Sequence, residues 1–220
     1  MIIEWVVKIG GSLFPEQAIK VAKAIKETNS LIITGGGEFA NLIRKYDKKI
    51  KFSKDVTHQT AINTMDVTSK LLNDKLTFTK IVDSLDDAKK ISKNGEIPIL
   101  TTSKILNEKN PLEHSWKVSS DSISAYISHL LKSKLLITTN VNGIYTRKPG
   151  LKNSIFINEI DAKKLLSFDE SSIDLMLPEI LIKFGSDCFV VNGNFPERVL
   201  SIIKLNKNNH DFKYTYIRGK

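Results

Sequence analysis

The sequence predicts an α/β fold, a three-layer αβα sandwich around a mainly parallel central sheet. Short apolar runs alternate with helical periodicity along all 220 residues. That order builds parallel sheets from strand–helix–strand units. Two of the runs, Val6-Val7-Lys8-Ile9 and Leu31-Ile32-Ile33-Thr34, lead straight into glycines, Gly10-Gly11 and Gly35-Gly36-Gly37, and a helical pattern follows each turn. Five of the eleven glycines therefore fall at two strand-to-helix turns. In an open parallel sheet such turns share the edge at which ligands bind.

Residues 3–9 read as the first strand. Ala18, Val21, Ala22 and Ile25 then recur at i, i+3, i+4 and i+7, which makes one apolar helix face. A second strand over 31–34 meets the triple glycine and a helix running to about Asp47. The lysine-rich residues 48–55 lack periodicity and read as a loop. From 57 to 74 a helical pattern places Ala61, Met65, Thr68 and Leu72 on one side. A short strand is expected over 76–81, a helix over 83–93 stopped by Asn94-Gly95, and a strand over 97–101 with Pro98 near its start or at an edge. Residues 102–118 read as irregular. Ser119-Ser120-Asp121 then opens a helix whose face is Ile123, Ile127, Leu130 and Leu131. Serine caps the free N–H groups there, and Asp121 in the first turn suits the helix dipole. Residues 135–139 read as a central strand, 140–150 as a ligand-side loop and 154–157 as a small strand. Helices are expected over 161–166 and 178–184, a strand over 189–191, a last helix over 197–203 and an edge strand over 214–217. No repeat or linker divides the chain. It reads as one domain over 1–220, with lobes of about 1–118 and 119–220.

Composition narrows the class. Hydrophobic content of 41% and charged content of 26% are those of a soluble globular protein. No apolar run approaches the roughly 20 residues that span a bilayer, and the N-terminus lacks a basic, then apolar, export pattern, so a cytoplasmic protein without a membrane partner is expected. The single cysteine, Cys188, lies in an apolar run and reads as packing. The net charge of +9 raises nucleic acid as a partner. But the lysines are scattered, and only four of the 33 basic residues are arginine, the side chain that base readout favours. The charge reads as solvated surface with some steering of anionic substrates; no nucleic-acid partner is expected.

The chemistry sits at the glycine turns. Glycine lets the backbone bend sharply and come close to a ligand, and the following helix offers free N–H groups and a positive dipole end. Together these favour an anion, most often phosphate. Lys8, two residues before Gly10, can reach the same anion. Two such turns at one edge can hold two phosphate-bearing groups face to face. Competing motifs fare worse. Gly35-x-Gly37-x-x-Ala40 with Asp55 nominally matches a dinucleotide fingerprint, but Asp55 ends no clear strand and Lys8 is left unexplained. There is no GxxxxGK[ST], no HExxH, no GxSxG and no Cys/His cluster of zinc spacing.

Lys8-Ile9-Gly10-Gly11-Ser12, then Gly35-Gly36-Gly37, then Asp121 at a helix start, then Thr138-Thr139-Asn140-Val141-Asn142-Gly143-Ile144-Tyr145 resembles the amino acid kinase superfamily, with the motifs in its order. More narrowly, Gly35–Arg44, Thr57-His58 through Met65-Asp66, Glu113-His114-Ser115-Trp116, and Val191-Asn192-Gly193 with Pro196-Glu197-Arg198 look like its archaeal branch that phosphorylates an aminomethylfuran-methyl phosphate. The resemblance implies the amino acid kinase fold, ATP with Mg²⁺ carried on phosphates rather than in a protein metal cage, a small-molecule phosphate acceptor and a homo-oligomer. It implies an acceptor-binding first lobe and a nucleotide-binding second lobe. Lys8, Gly10, Gly11 and Ser12 would hold the ATP phosphates, and Thr138, Asn140, Gly143, Tyr145 and Pro149 would line the nucleotide pocket. Gly35, Gly36 and Gly37 would hold the acceptor and the transferring group. His58, His114 and Trp116 would complete the acceptor site, a flat ring stacking on Trp116 and Glu113 meeting an amine. Asp121 would orient Lys8.

Two departures stand out. Asn140 and Asn142 replace the carboxylates of the superfamily's Thr-Asp-Val-Asp-Gly loop. Glu179 stands where a second catalytic lysine is usual; Lys183, one helical turn on, is the expected substitute. The expected activity is transfer of the γ-phosphoryl group of ATP to a phosphate monoester, the furan phosphate first. Uridylate or isopentenyl phosphate acceptors are the alternatives, with a non-catalytic nucleotide-binding module as the reading outside enzymes.

Overall fold

The computed structural model describes residues 3–108, 111–168, 172–205 and 210–219. In chain order the strands are β1 (Trp5–Ile9), β2 (Ser30–Thr34), β3 (Thr79–Val82), β4 (Ile97–Leu100), β5 (Lys134–Thr139), β6 (Ile144–Tyr145), β7 (Phe156–Ile157), β8 (Glu159–Asp161), β9 (Cys188–Asn192) and β10 (Tyr214–Arg218). The helices are α1 (Glu16–Ala24), α2 (Gly37–Lys49), α3 (Lys54–Asp74), α4 (Leu85–Lys93), α5 (Ser103–Glu108), α6 (Ser120–Leu131), α7 (Ala162–Leu165), α8 (Leu177–Phe184) and α9 (Pro196–Leu205). Eight strands make one sheet in the order β3-β4-β2-β1-β5-β9-β10-β8, and β6 and β7 form a separate ribbon. The first four strands of the chain fill one half of the sheet and the later four the other. They meet where β1 pairs in parallel with β5. Among the described residues only the β9–β10 pairing is antiparallel within this sheet.

Strand periodicity sorts the core into two layers. Val6, Leu31, Ile33, Leu135 and Ile137 face one apolar cluster, closed by Ile62 and Met65 of α3 and by Ile123 and Ile127 of α6. Trp5, Val7, Ile9, Ile32 and Leu136 face the other, against Val21 and Ala22 of α1 and Val199 and Ile202 of α9. The same alternation gives Lys8 to the layer that holds α6. Ile9 at the end of β1 is level with Thr34 of β2 and with Thr138 of β5. The carboxyl ends of the three central strands therefore form one ledge, with both glycine turns on it.

The expected sandwich forms, with differences at its borders. The loop expected over 48–55 shortens to 50–53: α2 runs on to Lys49, whose charge suits a helix C-terminus, and Ser53 caps α3 by accepting from the N–H of Val56. A short helix, α5, lies in the stretch expected to be irregular. Asp66 ties its start down by accepting from Thr102 N–H at 2.9 Å and from the Ser103 hydroxyl. The strand expected at an edge, β10, is covered by β8. Arg218 bridges the two through Glu159 and Asp161. No helix among the described residues is long and apolar enough to cross a membrane.

Ile137 is fully buried in the strand that joins the two halves. Ile137→Ala is expected to cost about 2–4 kcal/mol, seen as a lower denaturant midpoint at unchanged slope.

Candidate active site

The two glycine turns touch each other. Gly10 N–H donates to Thr138 O at 2.9 Å and Gly35 N–H to Ile9 O at 2.8 Å, which draws the turns onto the ledge. A side chain at Gly10 would put its Cβ 2.6 Å from the Thr138 carbonyl oxygen, and one at Gly35 would put it 2.7 Å from the nitrogen of Gly11. At Gly11 it would run into the nitrogen and Cα of Gly37. Backbone approaching backbone is what demands glycine at these three positions; at Gly37 it is the left-handed φ of +56°, since a Cβ there would come no closer than 3.4 Å to Gly11 O.

Lys8 lies directly beneath, its ammonium 2.6 Å from Asp121 Oδ1 with both side chains nearly buried. The expected serine cap of α6 forms, and Asp174 adds to it. Ser119 Oγ accepts from Asp121 N–H at 3.3 Å, and Asp174 Oδ2 accepts from the N–H groups of Ser119 at 2.9 Å and Ser122 at 3.0 Å. Asp174 Oδ1 in turn accepts from the N–H groups of Met176 and Leu177 at the start of α8. One carboxylate thus serves the N-termini of two helices and also takes the hydroxyls of Ser119 and Ser122. The backbone N–H of Asp174 donates to Asp121 Oδ2 at 3.1 Å, holding that carboxylate toward Lys8. Burial, reinforced by the Asp121 charge, pushes the Asp174 carboxyl above the usual range; its hydrogen bonds from Ser122 and Ser119 oppose this.

A cavity of about 340 Å³ opens beside the turns. It is lined by Lys8, Gly10, Gly11, Ser12, Gly35, Gly36, Gly37, His58 and Trp116 among the expected residues. The Trp116 indole N–H donates to Asp47 Oδ2 at 2.7 Å, and the Arg44 guanidinium lies 4.8 Å from the centre of its ring. His114 stands behind His58 rather than in the cavity wall. The two rings stack at 4.6 Å, and His114 Nδ1 lies 2.6 Å from Asp55 Oδ1. Burial, then the neighbouring His114 charge, lowers the His58 pKa, against a smaller rise from Asp55. Glu113 is exposed.

The expected nucleotide residues follow the ledge onward. Thr138 is fully buried and donates its hydroxyl to Lys8 O at 3.1 Å, so it fixes the strand end rather than lining a space. Asn140 is exposed just past β5. Gly143, at φ +145°, lets the loop pass close to Thr215 of β10. Tyr145 packs edge-on to Phe156 across the β6–β7 ribbon, and Pro149 is exposed beyond it. Lys183 is not brought to Lys8. It is exposed near the end of α8, about 9 Å of helix rise from the end that Asp174 holds. The next residue, Phe184, stacks on His129 in the last turn of α6, the end remote from Asp121.

Sequence reading assigned no role to Arg44 or Asp174. Arg44 follows Gly37 and Ala40 at i+7 and i+4, the spacing of one helix face, and that face lines the cavity. Locally Asp174 offers only a cap for α8, through Met176 and Leu177; its partners at α6 lie more than 50 residues earlier.

A parallel sheet with paired glycine turns, a buried Lys–Asp pair and a cavity beside them defines a phosphate-handling enzyme. Residues 4–192 match the Amino acid kinase family, and the chain belongs to that family and is a phosphotransferase. It is 41% identical over 206 residues to the 5-(aminomethyl)furan-3-yl-methyl phosphate kinase of Methanocaldococcus jannaschii, covering 90% of this chain and 92% of that protein. In fold it is similar to the uridylate kinase from Archaeoglobus fulgidus, with a TM-score of 0.73 and 18% identity over 97% of this chain and 99% of that one. A substrate complex of isopentenyl phosphate kinase is similar at a TM-score of 0.66 and 20% identity, covering 98% of this chain and 100% of that one.

Two outcomes follow for the site. Asp174→Ala strips acceptors from two helix starts and is expected to cost roughly 1–4 kcal/mol in chemical denaturation, the loss of a cap at each of two helices. His58 has a folded pKa below its unfolded value, so the unfolded state takes up the proton first and stability falls as pH drops below the ordinary imidazole range. Between about pH 7 and pH 5, the wild type should lose more melting temperature than His58→Gln.

Proposed function

We propose that this chain transfers the γ-phosphoryl group of ATP to a phosphate monoester borne on a small flat ring, aminomethylfuran-methyl phosphate being the first choice, to give the diphosphate. The observation that supports this most is the contact between the two glycine turns, directly above a buried lysine. Each turn leads into free N–H groups at a helix start, so two phosphates seated there would face each other.

The residues fit ATP and its metal. The donor set at the turns is main-chain N–H and one ammonium, which suits phosphate oxygens. Among the described residues no group of three or more His, Cys, Asp and Glu is placed to hold a metal ion, so Mg²⁺ would ride on the phosphates and neutralise their charge. Lys8 would meet the transferring group, with Asp121 fixing the ammonium. Gly10, Gly11 and Ser12 would take the nucleotide phosphates, and Gly35, Gly36 and Gly37 the acceptor phosphate. Asn140, Gly143, Tyr145 and Pro149 would flank the nucleoside, over a ledge that Thr138 fixes. An acceptor phosphate oxygen attacks the γ-phosphorus as the bond to the β–γ bridging oxygen breaks, releasing ADP. Positioning and charge neutralisation carry most of such a step.

Arg44 on the Trp116 ring adds a fixed cation at the acceptor side, and Trp116 offers a flat face to a ring. His58, backed by His114, closes that wall. Lys183 takes no part in this reading, and Lys183→Ala should leave turnover unchanged. The same proposal includes a cytoplasmic setting and self-association. Phe39, Leu42 and Tyr46 form an exposed apolar stripe on α2, turned away from the cavity, with exposed Ile50 just past its end.

The test is ADP release from ATP and Mg²⁺ with the aminomethylfuran phosphate, UMP and isopentenyl phosphate as acceptors. Lys8→Met with Asp121→Asn removes the ion pair without stranding a buried charge. The double variant should fold yet lose at least about 10²-fold in kcat. Turnover with UMP or isopentenyl phosphate alone would move the acceptor assignment. ATP binding without transfer to any acceptor would favour the non-catalytic reading.

A further inference from the structure

The asparagines that replace carboxylates in the nucleotide loop gain a meaning from their partner. Asn142 Oδ1 accepts from Arg198 Nη1 at 3.3 Å and from Asn192 Nδ2 at 3.2 Å. Asn192 is the last residue of β9, level with Thr139 of β5, so this corner lies on the same ledge as the glycine turns. The Asn192 Oδ1 is taken by the N–H of Asn194 at 3.0 Å. Arg198, in the first turn of α9, is braced by aromatic rings: its guanidinium carbon lies 3.9 Å from the Phe195 centroid and 5.5 Å from that of Phe212. Arg218 shows the contrast, with its charge spent on Glu159 and Asp161. Among the described residues no carboxylate pairs with Arg198.

The donor and acceptor balance of this corner is therefore one-sided. A guanidinium has five N–H donors, and Asn142 takes one. The side-chain oxygens of Asn142 and Asn192 are already occupied, while Asn142 keeps its own amide N–H groups. What the corner offers a ligand is donors and one positive charge, held in place by stacking and so costing little order on binding. That complements anionic oxygens rather than hydroxyl donors. An aspartate at 142 would cancel the charge of Arg198 and offer an acceptor instead.

We infer that Arg198 is a further nucleotide-binding residue, reading the anionic oxygens of the polyphosphate, and that the neutral Asn142 keeps its charge available. This rests on the kinase reading above and extends it to the far side of the ledge.

Calorimetric titration of the full chain with ATP and with adenosine, at low and high salt, tests it. Asn142→Asp and Arg198→Gln are each expected to weaken ATP by about 10-fold or more, as loss of a charge-assisted contact does. Adenosine binding should hold within about 2-fold, and the salt dependence of ATP binding should flatten. The double variant should bind ATP more weakly than Arg198→Gln alone, because the carboxylate introduced at 142 then has no arginine to neutralise it beside the phosphates. If Arg198→Gln melts early, Asn142→Asp still decides, because it adds a partner to the arginine instead of removing one from the rings. ATP affinity unchanged in Asn142→Asp, or adenosine lost in step with ATP, would overturn the inference while leaving the kinase reading standing. A wild type that binds no ATP would overturn both.

Discussion

The ion pair of Lys8 with Asp121 is the contact on which the site depends. A buried pair loses the hydration of both charges, and its mutual attraction offsets that loss only when the remaining hydrogen-bonding capacity is met. Here part of the remainder is met from nearby, at Asp121 Oδ2, while Oδ1 has only the ammonium among the described residues. The backbone N–H of Asp174 holds the second oxygen of Asp121, and the Asp174 side chain is itself met by N–H groups at the starts of α6 and α8. The positive ends of two helices thus offset the second buried carboxylate. Lys8 is held pointing at the ledge by a scaffold that spans β1, α6 and α8.

The ledge converts that fixed charge into a site. Parallel register levels the ends of β1, β2 and β5, and glycines let the two turns close on each other. Beyond the turns, the proposed acceptor side carries Arg44 against Trp116, and the proposed nucleotide side carries Arg198 against Phe195. Stacking fixes both guanidinium groups, so each presents its charge from a set position. With Lys8 they give a row of cations suited to two phosphate-bearing molecules, without requiring a lysine where Glu179 stands.

Much of this was legible in the sequence because it is local. Short apolar runs gave the strands, i/i+4 spacing gave the helix faces, and the glycine turns marked the ligand edge. The borders that shifted, at 48–55, 102–118 and 214–217, were set by contacts from elsewhere: the Ser53 cap, the Asp66 tie on α5 and the β8 strand lying over β10. Lys183 shows the limit of helical spacing as a guide to chemistry. It shares a face with position 179, but the direction of α8 carries it away from Lys8. Asp174 shows the converse: its own neighbourhood announces a cap for α8, but not its second role at the start of α6.

The claim at the centre is that two phosphates meet in one site and that transfer between them is direct, with no side chain taking the phosphoryl group in between. The stereochemical course at phosphorus measures this. ATP made chiral at the γ-phosphorus with sulfur and oxygen isotopes would be turned over with the acceptor, and the product configuration determined. A single in-line transfer gives inversion, which is the expected result. Retention would mean two successive transfers through a phosphorylated side chain, with His58 at the cavity wall the first candidate, and would contradict the face-to-face arrangement of the glycine turns as the basis of the reaction.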